Sequence, residues 1–600
     1  MSVIVSIARG HNASTTLMVD GEIVFYIEEE RLSRRKYDGA PLLGLLECTK
    51  YVDHIDHLVL CHTHRAGPEL DWTGESAYYG LVRKLAKLRF NPKVHYVDTI
   101  HHKMHGACAF LNSGFDTAAI VIADGAGSFL QNQLSPSVCY EFETILTAEY
   151  PFNQDSLKYV YRHLGTKDPI GLNEIADEND ADILITEYPG LTKIYEAVTE
   201  FCGFQSIDAG KTMGLSAYGK ENPEIPPLFR DNWGNREVFI PNYPNNSYLN
   251  VSRYKILKED LNVHQKKKYT QVQKDMAYAV QKETEEQMVN LIRKAHEKTG
   301  ETNICVSGGY GLNCVANYKY WKEFPDLNIY VEPISHDGGT SIGGAKFVYA
   351  SEYGMPKAEP RVSSIYYGPK YDPDNYLDFI DPEYVSDTSP KDIAKMIRDG
   401  NIVTIFQGRS EGGPRALGNR SILFDPTIKD GKDIVNYVKK REFFRPFACT
   451  ILKEKVNDWF DLAGREDTPH MMYAVECVPG VEEKIPSVIH EDGTCRIQTL
   501  TKEENEHYYN LISEFEKLSD VPILFNTSFN LGGQPLVETL EDAINTLEMS
   551  SMKYLYLPEI QKLVTVEVER EYIEPNFSGP ADDGIKGNFA ENKAEELKST

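Results

Sequence analysis

The sequence contains no run of eighteen or more apolar residues, about the length that a membrane-spanning helix needs. Residues 1–8 lack the basic start and the long apolar segment of a signal peptide and instead have the pattern of a short buried strand. The 10 cysteines include no CxxC pair, which excludes a zinc ribbon and argues against a disulfide framework. We therefore expect a cytoplasmic protein with reduced, mostly buried thiols and no membrane partner.

Basic residues are few relative to acidic ones. The chain has 63 Lys and Arg and 90 Asp and Glu, which gives a formal net charge of −27. A chain this acidic repels nucleic-acid backbones unless it carries a local basic patch, so a polynucleotide partner is not expected. Small anions remain compatible, since a few convergent cations can bind them. No internal repeat of fixed period is present, and 600 residues exceed what one core usually supports, so we expect two or more domains.

Apolar runs of strand length alternate with turn signals at the start of the chain. Val3–Ala8, residues 15–19 and Glu22–Glu28 are predicted strands, and Asp20 with Gly21 predicts a hairpin turn between the last two. The other elements predicted are strands over residues 118–123, 303–307 and 521–525 and a helix over residues 269–298. Strands interleaved with helices predict an α/β fold.

Proline and glycine are dense between residues 354 and 373, which indicates a linker between domains. We assign residues 1–355 to a first domain, 356–370 to the linker and 371–570 to a second domain. Residues 571–600 have almost no apolar side chains and are predicted to form a disordered acidic and polar tail.

The first group of candidate site residues has the ligand types of a metal centre. His101 and His105 lie one turn apart if their segment is helical, and two imidazoles at that spacing can chelate one divalent ion. Asp124, after a predicted strand, and Asp337, before a Gly-Gly pair, can complete the ligand set. Taken singly, the histidines are also compatible with ordinary core positions and each aspartate with a turn cap. The four ligand types suit iron, zinc or manganese and do not choose among them.

A second group consists of glycine-rich turns that follow predicted strands or precede predicted helices. Backbone N–H groups exposed there can hold phosphate, although glycines also serve tight corners and no turn has P-loop or GxGxxG spacing. Several such turns in one α/β domain resemble the nucleotide cleft of the actin, sugar kinase and Hsp70 group. The candidate nucleotide-binding residues are Lys211, Gly214, Gly308, Gly309, Asn313, Asn317 and Gly338.

A third group is cationic and lies in the second half of the chain. Three arginines fall in the glycine-rich stretch 408–421, and further cations follow at 439–445. Arginine forks bind phosphate in pairs of hydrogen bonds, and the surrounding Pro, Phe and Gly favour a structured pocket over a solvated loop. The candidate anion-binding residues are Arg415, Lys439, Arg441, Arg445, Asn526 and Ser528.

Over about residues 1–570 the chain resembles the NodU/CmcH-type carbamoyltransferases, because seven of that family's motifs occur in order. The matching stretches are residues 11–14, 28–34, 101–105, 210–215, 413–421, 441–448 and 526–530. Two departures are Asn12, where the family usually has Asp, and Gly106, where it has Ala.

The resemblance implies an actin-like N-terminal domain (a duplicated RNase H-like fold, similar to TsaD) that transfers the carbamoyl group, followed by a YrdC-like twisted-sheet domain. The YrdC-like domain would form carbamoyl-adenylate from carbamoyl phosphate and ATP with Mg²⁺. The first domain would pass the carbamoyl group to a hydroxyl of a small acceptor such as a sugar, nucleoside or natural product. The implied catalytic residues are His11 as general base, Asp124 and Arg415.

The resemblance also implies a divalent metal on His101, His105, Asp124 and Asp337, for which we expect iron(II), with zinc or manganese as alternatives. A homodimer is compatible with the sequence. Three other functions are weighed: a tRNA threonylcarbamoyl-type enzyme, which the net charge disfavours; a non-enzymatic nucleotide-binding regulator, which would have little use for the cationic group; and a sugar kinase, which would not need the second domain.

Overall fold

The computed structural model describes residues 2–63, 92–132, 134–176, 181–230, 234–235, 237–242, 246–250 and 269–567. The chain divides into two compact units. The first comprises Met1–Thr212, Glu221–Lys258 and Ala279–Tyr367, and the second comprises Met213–Lys220, Glu259–Tyr278 and Gly368–Thr600. The expected tail at 571–600 lies outside the described residues. Within the described part of the chain, no helix combines the length and the apolar character needed to cross a bilayer.

A five-stranded sheet in the first unit has the order β3-β2-β1-β4-β5. Its strands are β1 Val3–Ala8, β2 Ser14–Val19, β3 Glu22–Glu28, β4 His57–Cys61 and β5 Lys93–Tyr96. β1, β2 and β3 form an antiparallel meander, and β4 and β5 continue the sheet parallel to β1. The strands predicted for the start of the chain are confirmed, with β2 beginning one residue earlier than expected.

The second large sheet of this unit repeats the same arrangement. Its path is β10-β11-β9-β8-β6-β14-β15, with β7 paired to β8. The strands are β6 Thr117–Ala123, β7 Phe129–Asn132, β8 Ser135–Glu149, β9 Lys158–Gly165, β10 Leu172–Ala176, β11 Asp182–Thr186, β14 Asn303–Ser307 and β15 Asn328–Val331, while β12 Phe239–Asn242 and β13 Asn246–Leu249 form a separate hairpin. β6, β8 and β9 form the meander, and β14 and β15 lie parallel to β6. Two sheets of one topology in one unit confirm the duplicated, actin-like α/β fold.

Helices alternate with these strands along the chain. They are α1 Glu29–Ser33, α2 Leu42–Cys48, α3 His101–Ser113, α4 Leu191–Phe201, α5 Ala209–Ser216, α6 Gln271–Thr299, α7 Cys314–Glu323 and α8 Gly339–Tyr353, with a 3₁₀ turn at Gly309–Leu312. Of these, α5 and α6 each have residues in both units. The predicted helix at 269–298 is therefore found as α6. The helix expected to open after the glycine turn begins at Cys314, and Asn313 caps it by accepting from the backbone N–H of Ala316.

α3 and α8 pack directly against each other in the core of the first unit. An added Cβ at Gly343 would overlap the carbonyl oxygen of Met104, and one at Gly344 would overlap the Sγ of Cys61. The two glycines therefore allow the backbones of α3 and α8, and the adjoining sheet, to approach closely. The apolar cluster around this contact includes Met104, Ala107 and Val348, all buried.

The second unit is built on a ten-stranded sheet with the order β16-β25-β24-β17-β18-β23-β19-β22-β21-β20. Its strands are β16 Val385–Asp387, β17 Val403–Phe406, β18 Arg420–Phe424, β19 Ala448–Leu452, β20 Phe460–Asp461, β21 Ala474–Cys477, β22 Thr494–Leu500, β23 Ile523–Ser528, β24 Tyr554–Leu557 and β25 Lys562–Thr565. Its helices are α9 Pro390–Arg398, α10 Gly431–Val438, α11 Glu506–Ser519 and α12 Leu540–Glu548, with 3₁₀ turns at Pro373–Phe379, Pro382–Tyr384, Lys453–Asp458 and Pro558–Ile560.

The structure bears on two further sequence predictions, the position of one strand and the state of the cysteines. The strand expected at 521–525 is found at 523–528, because Pro522 has no N–H to donate to a ladder and precedes the paired segment. All 10 cysteines lie within the described residues and none is in a disulfide; all except Cys477 are buried.

Candidate metal centre and anion site

The first turns of α3 place two imidazoles on one face of a buried helix. His101 and His105 are 2% and 1% exposed, and their Nε2 atoms lie 3.2 Å apart. The Nδ1 atom of His105 lies 3.5 Å from the hydroxyl of Ser307, at the end of β14, which leaves Nε2 facing its partner. His102, in between, points elsewhere and contacts the hydroxyl of Thr144 at 2.7 Å. The helical spacing inferred from the sequence is therefore present.

Two carboxylates from distant parts of the chain converge on these imidazoles. Asp124 follows β6 and Asp337 precedes α8, and their oxygens lie 3.6 Å from the Nε2 of His101. The corresponding distances to the Nε2 of His105 are 3.9 and 3.6 Å. One ligand atom from each of the four residues lies within 4.8 Å of all the others.

This geometry fits a single metal ion. Ligand atoms about 3.4 Å apart surround a common centre at about 2.1 Å in a tetrahedron, which is the bond length of zinc to nitrogen and oxygen ligands. The two buried carboxylates also face each other, a repulsion that a cation between them removes. The residues present therefore suit a divalent ion, as the sequence predicts, and the choice among iron, zinc and manganese stays a prediction.

Opposing charges dominate the titration of this cluster. Burial would lower the pKa of His101, but hydrogen bonds to Asp124 and Asp337 raise it to about 10. Burial would raise the pKa of Asp337, and the hydrogen bonds from His101 and His105 instead hold it well below its usual range. In the metal-free protein, the proton on His101 therefore supplies a positive charge that partly offsets the two carboxylates, as a bound cation would.

The pH dependence of metal binding follows from that proton. Since His101 is protonated at neutral pH without metal, an incoming ion must displace the proton, and we expect affinity to rise about tenfold per pH unit between pH 7 and 9 and to level off above pH 10. Conversely, the folded-state pKa lies above the unfolded value of about 6.5, so the metal-free fold is stabilised below that pH and loses this contribution as the pH rises through 10. Chelator competition at several pH values measures the affinity. A flat profile would contradict the raised pKa of His101 in the metal-free protein.

Glycine turns lie beside the metal ligands. Gly308 has φ +88°, and a Cβ there would overlap the carbonyl oxygen of Ala123; the N–H of Gly309 donates to Asp124 at 3.2 Å. At Gly338 an added Cβ would lie 2.7 Å from the hydroxyl of Tyr26. Three of the predicted nucleotide-binding glycines are thus grouped around the carboxylates, and their small size is required there.

The other predicted nucleotide-binding residues are placed differently. Asn313 exchanges two hydrogen bonds with the side chain of Gln281, at 3.0 and 3.1 Å, and Asn317 donates to the carbonyl oxygen of Gly311. Lys211 forms an ion pair with Asp208 at 2.9 Å. Gly214 belongs to the second unit, and a Cβ there would lie 3.1 Å from Pro446. Asn313 and Asn317 therefore organise the turn.

His11 lies exposed in the turn after β1, and it faces acidic groups of the centre. Burial raises the pKa of both Asp337 and Glu196, and the charge of His11 is one of the contributions that act against that rise. Glu196 and its partner Lys193, at 2.8 Å, are absent from the sequence prediction, because an i,i+3 ion pair on α4 matches no motif. Both adjoin Gly125, directly after Asp124.

The acidic stretch of Glu28, Glu29 and Glu30, at the end of β3 and the start of α1, makes three separate contacts. Glu28 lies 3.5 Å from the imidazole of His336, the residue before Asp337. Glu29 accepts from the backbone N–H groups of residues 43 and 44 in α2, at 2.8 and 3.0 Å. Glu30 holds the following turn through Lys36 at 2.6 Å. Only the Glu28–His336 pair lies beside the centre.

In the second unit, Lys439 ends α10 as a buried lysine. Its ammonium donates to the carbonyl oxygen of Ser528 and, at 2.9 and 3.0 Å, to the carbonyl and side-chain oxygens of Asn530. Burial, followed by the charges of Arg441 and Arg445, lowers its pKa well below the usual range. Lys439 therefore holds the segment 528–530 in place and adds positive charge behind it.

Lys439 and the arginines around it, Arg441, Arg445 and Arg496, form a cationic cluster. Arg441 lies over the ring of Phe447 at 4.8 Å, and burial, then the charges of Arg445 and Arg496, lowers its pKa. The Nε atoms of Arg441 and Arg496 are buried and have no hydrogen-bond partner among the residues that the structure describes. Orphaned guanidinium donors that repel one another suit a bound anion. Arg496, on β22, is absent from the sequence prediction because it stands alone among apolar strand residues.

Three predicted anion-binding residues lie outside the segment 439–496 in the sequence. Arg415 precedes this segment, and Asn526 and Ser528 follow it. Arg415 is half-buried in the loop between β17 and β18, and its neighbour Ala416 accepts from the amide of Asn526 at 3.3 Å. The Oδ1 atom of Asn526 is buried without a partner among the described residues. The hydroxyl of Ser528 donates to Asn530 at 2.7 Å. Arg420, the first residue of β18, is fully buried and donates to the carbonyl oxygens of Gln407 and Gly408, so its role is structural.

Comparison with known proteins adds two family matches. Residues 71–346 match the family described as carbamoyltransferase N-terminus, and residues 394–562 match carbamoyltransferase C-terminus. The chain is 29% identical to nodulation protein NolNO of Sinorhizobium fredii, over 89% of this chain and 76% of that protein. It is 30% identical to nodulation protein NolO of Bradyrhizobium diazoefficiens, over 74% and 75%. Among solved structures, full-length HypF in its phosphate- and nucleotide-bound form aligns with a TM-score of 0.32 and 11% identity, over 58% of this chain and 55% of that one.

Proposed function

The chain belongs to the carbamoyltransferase family, and on that premise we propose that it is an ATP-dependent O-carbamoyltransferase with two successive half-reactions. The second unit would form carbamoyl-adenylate, and the first unit would transfer the carbamoyl group to a hydroxyl of a small acceptor. The observation that carries the proposal is that each unit contains one site of the required character. The first has four converging metal ligands, and the second has buried guanidinium donors without partners.

Activation requires the second unit to hold a dianionic phosphate. Carbamoyl phosphate and water give carbamate and inorganic phosphate, a carbamate oxygen then attacks the α-phosphorus of ATP, and pyrophosphate leaves. Carbamoyl phosphate, carbamate and ATP are all anions, so the field of Lys439, Arg441, Arg445 and Arg496 favours their binding. The lowered pKa of Arg441 reflects burial and like-charge repulsion, both of which a bound phosphate offsets. Arg415 and Asn526 are proposed to contact the reacting groups.

Transfer is proposed to take place at the metal ligands of the first unit. The acceptor oxygen attacks the carbonyl carbon of carbamoyl-adenylate, the bond from that carbon to AMP breaks, and the hydroxyl proton passes to an imidazole nitrogen of His11. A divalent ion on His101, His105, Asp124 and Asp337 would offset phosphate charge and polarise the carbamoyl carbonyl. The turn at Gly308 and Gly309, beside Asp124, is proposed to contact the nucleotide.

The acceptor is proposed to be a small hydroxylated molecule. The formal net charge of −27 opposes a polynucleotide, because the long-range field repels its phosphates. Iron(II) is our proposed ion for the centre, with zinc or manganese as alternatives, and Mg²⁺ is proposed to accompany ATP. The division of labour assigns transfer to a TsaD-like domain at 1–355 and activation to a YrdC-like domain at 371–570.

The activation half-reaction is the first test. Purified protein with ATP and carbamoyl phosphate, and without acceptor, is expected to release pyrophosphate and to yield carbamoyl-adenylate in the mass spectrum. Omitting carbamoyl phosphate, or supplying an ATP analogue with a methylene group between the α- and β-phosphorus atoms, should abolish both signals. Release of ADP and phosphate in place of pyrophosphate would contradict the adenylate route and favour a kinase-type cleavage.

A further inference from the structure

A second cluster of metal-ligand side chains lies at the other end of α8. His57 begins β4, His95 lies on the adjacent strand β5, and Glu352 lies in the last turn of α8, and their ligand atoms are all within 4.8 Å of one another. Asp337 directly precedes the first turn of the same helix. At 1.5 Å per residue, α8 separates the two clusters by about 20 Å. The second cluster is therefore distinct from the first.

The two imidazoles already have nearly the spacing of a chelate. The Nδ1 atom of His57 lies 3.0 Å from the Nε2 atom of His95, and two nitrogens bound to one tetrahedral ion lie about 3.3 Å apart. The other nitrogen of His57 lies 3.2 Å from the hydroxyl of Tyr353. A ligating histidine commonly donates its remaining N–H to such an outer group, which fixes the ring and leaves the facing nitrogen as the ligand. His57 is buried, so its ring is also held by packing.

The carboxylate of Glu352 supplies the one negative charge of the cluster. In the metal-free protein this carboxylate pairs with Lys93 at 2.6 Å. Lys93 is 62% exposed, so its ammonium can move into solvent when a cation takes its place. Two neutral imidazoles and one carboxylate form a ligand set that suits zinc and related divalent ions, with water in the fourth position.

We propose that His57, His95 and Glu352 bind one divalent transition-metal ion such as Zn²⁺. On binding, the proton shared by the two facing nitrogens leaves, His95 takes it on its other ring nitrogen through solvent, and the pair Lys93–Glu352 opens. The ion connects β4, β5 and the end of α8, so it stabilises the folded state by mass action. The proposal does not depend on the carbamoyl chemistry.

The test is a count of bound Zn²⁺ per chain. Chelator-stripped full-length protein is dialysed against Zn²⁺ and analysed for metal, for the wild type and for His95→Gln, with far-UV circular dichroism as a fold check. His95→Gln is expected to bind one equivalent fewer than the wild type. The matched control is His54→Gln, at a nearby histidine that contacts Asp53 and lies outside the cluster, and it should bind as much as the wild type. Equal binding by His95→Gln and the wild type would overturn the proposal.

Two further variants test the ligand set, and the first of them is expected to tighten Zn²⁺ binding. Lys93→Gln removes the competing ammonium and is expected to tighten Zn²⁺ binding roughly two- to fivefold, the range of an exposed ion pair. Tyr353→Phe removes the outer hydrogen bond and should weaken binding about tenfold or more. An unchanged or weaker affinity in Lys93→Gln would overturn the assignment of Glu352. In the His105→Ala background the same differences should remain, since the two clusters are separate.

Discussion

Replacing His105 by alanine is expected to remove most of the metal of the first cluster and to slow carbamoyl transfer from preformed carbamoyl-adenylate by at least about a hundredfold. His105 supplies one of four ligand atoms, and its Nε2 lies 3.2 Å from that of His101. Without it, the two carboxylates keep their mutual repulsion and lose one of their two imidazole partners. Elemental analysis and single-turnover transfer measure the two effects.

The activation half-reaction is the internal control for this variant. Pyrophosphate release from ATP and carbamoyl phosphate should continue in His105→Ala, because the residues proposed for activation belong to the second unit. His507→Ala, at an exposed histidine on α11, is the matched substitution and should change neither reaction. Full retention of metal by His105→Ala would refute the ligand assignment, and metal loss with undiminished transfer would refute the catalytic role of the centre.

Replacing Arg441 by methionine is expected to reduce pyrophosphate release by about thirtyfold to several thousandfold. Truncating one partner of a buried charge pair costs about 2–5 kcal/mol, and each 1.36 kcal/mol is tenfold in rate or affinity. The guanidinium of Arg441 is held over Phe447, and its buried Nε has no partner among the described residues, which leaves a donor for an anion. Initial rates at several carbamoyl phosphate concentrations measure the loss.

The stability of the ligand-free Arg441→Met protein should not fall along with its activity, which distinguishes a binding role of Arg441 from a structural one. Burial and the charges of Arg445 and Arg496 disfavour the charged form of Arg441, so methionine should leave the melting temperature of the ligand-free protein unchanged or raise it. Arg441→Lys keeps the charge and loses the planar fork, and an intermediate loss is expected.

Arg398→Met is the matched control for Arg441→Met. Arg398 forms an ion pair with Asp425 at 2.7 Å, outside the cationic cluster, so its loss should leave activation unchanged. A normal pyrophosphate rate in Arg441→Met, or an equal loss in both variants, would contradict the proposed anion site.

Local signals predicted the first three strands of the first sheet and the spacing of the two histidine ligands. The alternation of apolar runs around Asp20 and Gly21 gave the β1–β3 meander, and the HxxxH spacing gave a helical pair of ligands. The order of the sheets was not predictable in the same way. β14 pairs with β6 across more than a hundred and eighty intervening residues, and nothing in either strand's own sequence names its partner.

The close contact of α3 with α8 shows the same limit at the level of single residues. Gly343 reads as an unremarkable glycine in a helix, where it is mildly unfavourable. Its function is visible only against the carbonyl oxygen of Met104, which lies on the helix that carries His101 and His105. Packing partners are set by the whole fold, so such glycines have no local signature.

For the candidate anion site, the sequence indicates which types of residue are present but not what each residue does. Clustered cations indicated the segments 408–421 and 439–445, but the sequence does not show which donors are already engaged. Lys439 uses its ammonium on Ser528 and Asn530, and Arg420 uses its guanidinium on backbone oxygens, whereas Arg441 and the unpredicted Arg496 keep orphaned donors. The distinction depends on tertiary contacts and not on residue type.

The spacing of the metal ligands along the chain sets an order of events during biosynthesis. His101, His105 and Asp124 are made early, and Asp337 follows roughly 210 residues later, an interval of about 10–40 s at about 5–20 residues per second. Throughout that time a nascent chain carries three of the four donors and has no α8 to hold them. An ion captured then would meet an incomplete ligand set, so the selection of the metal is deferred until translation has passed the middle of the message.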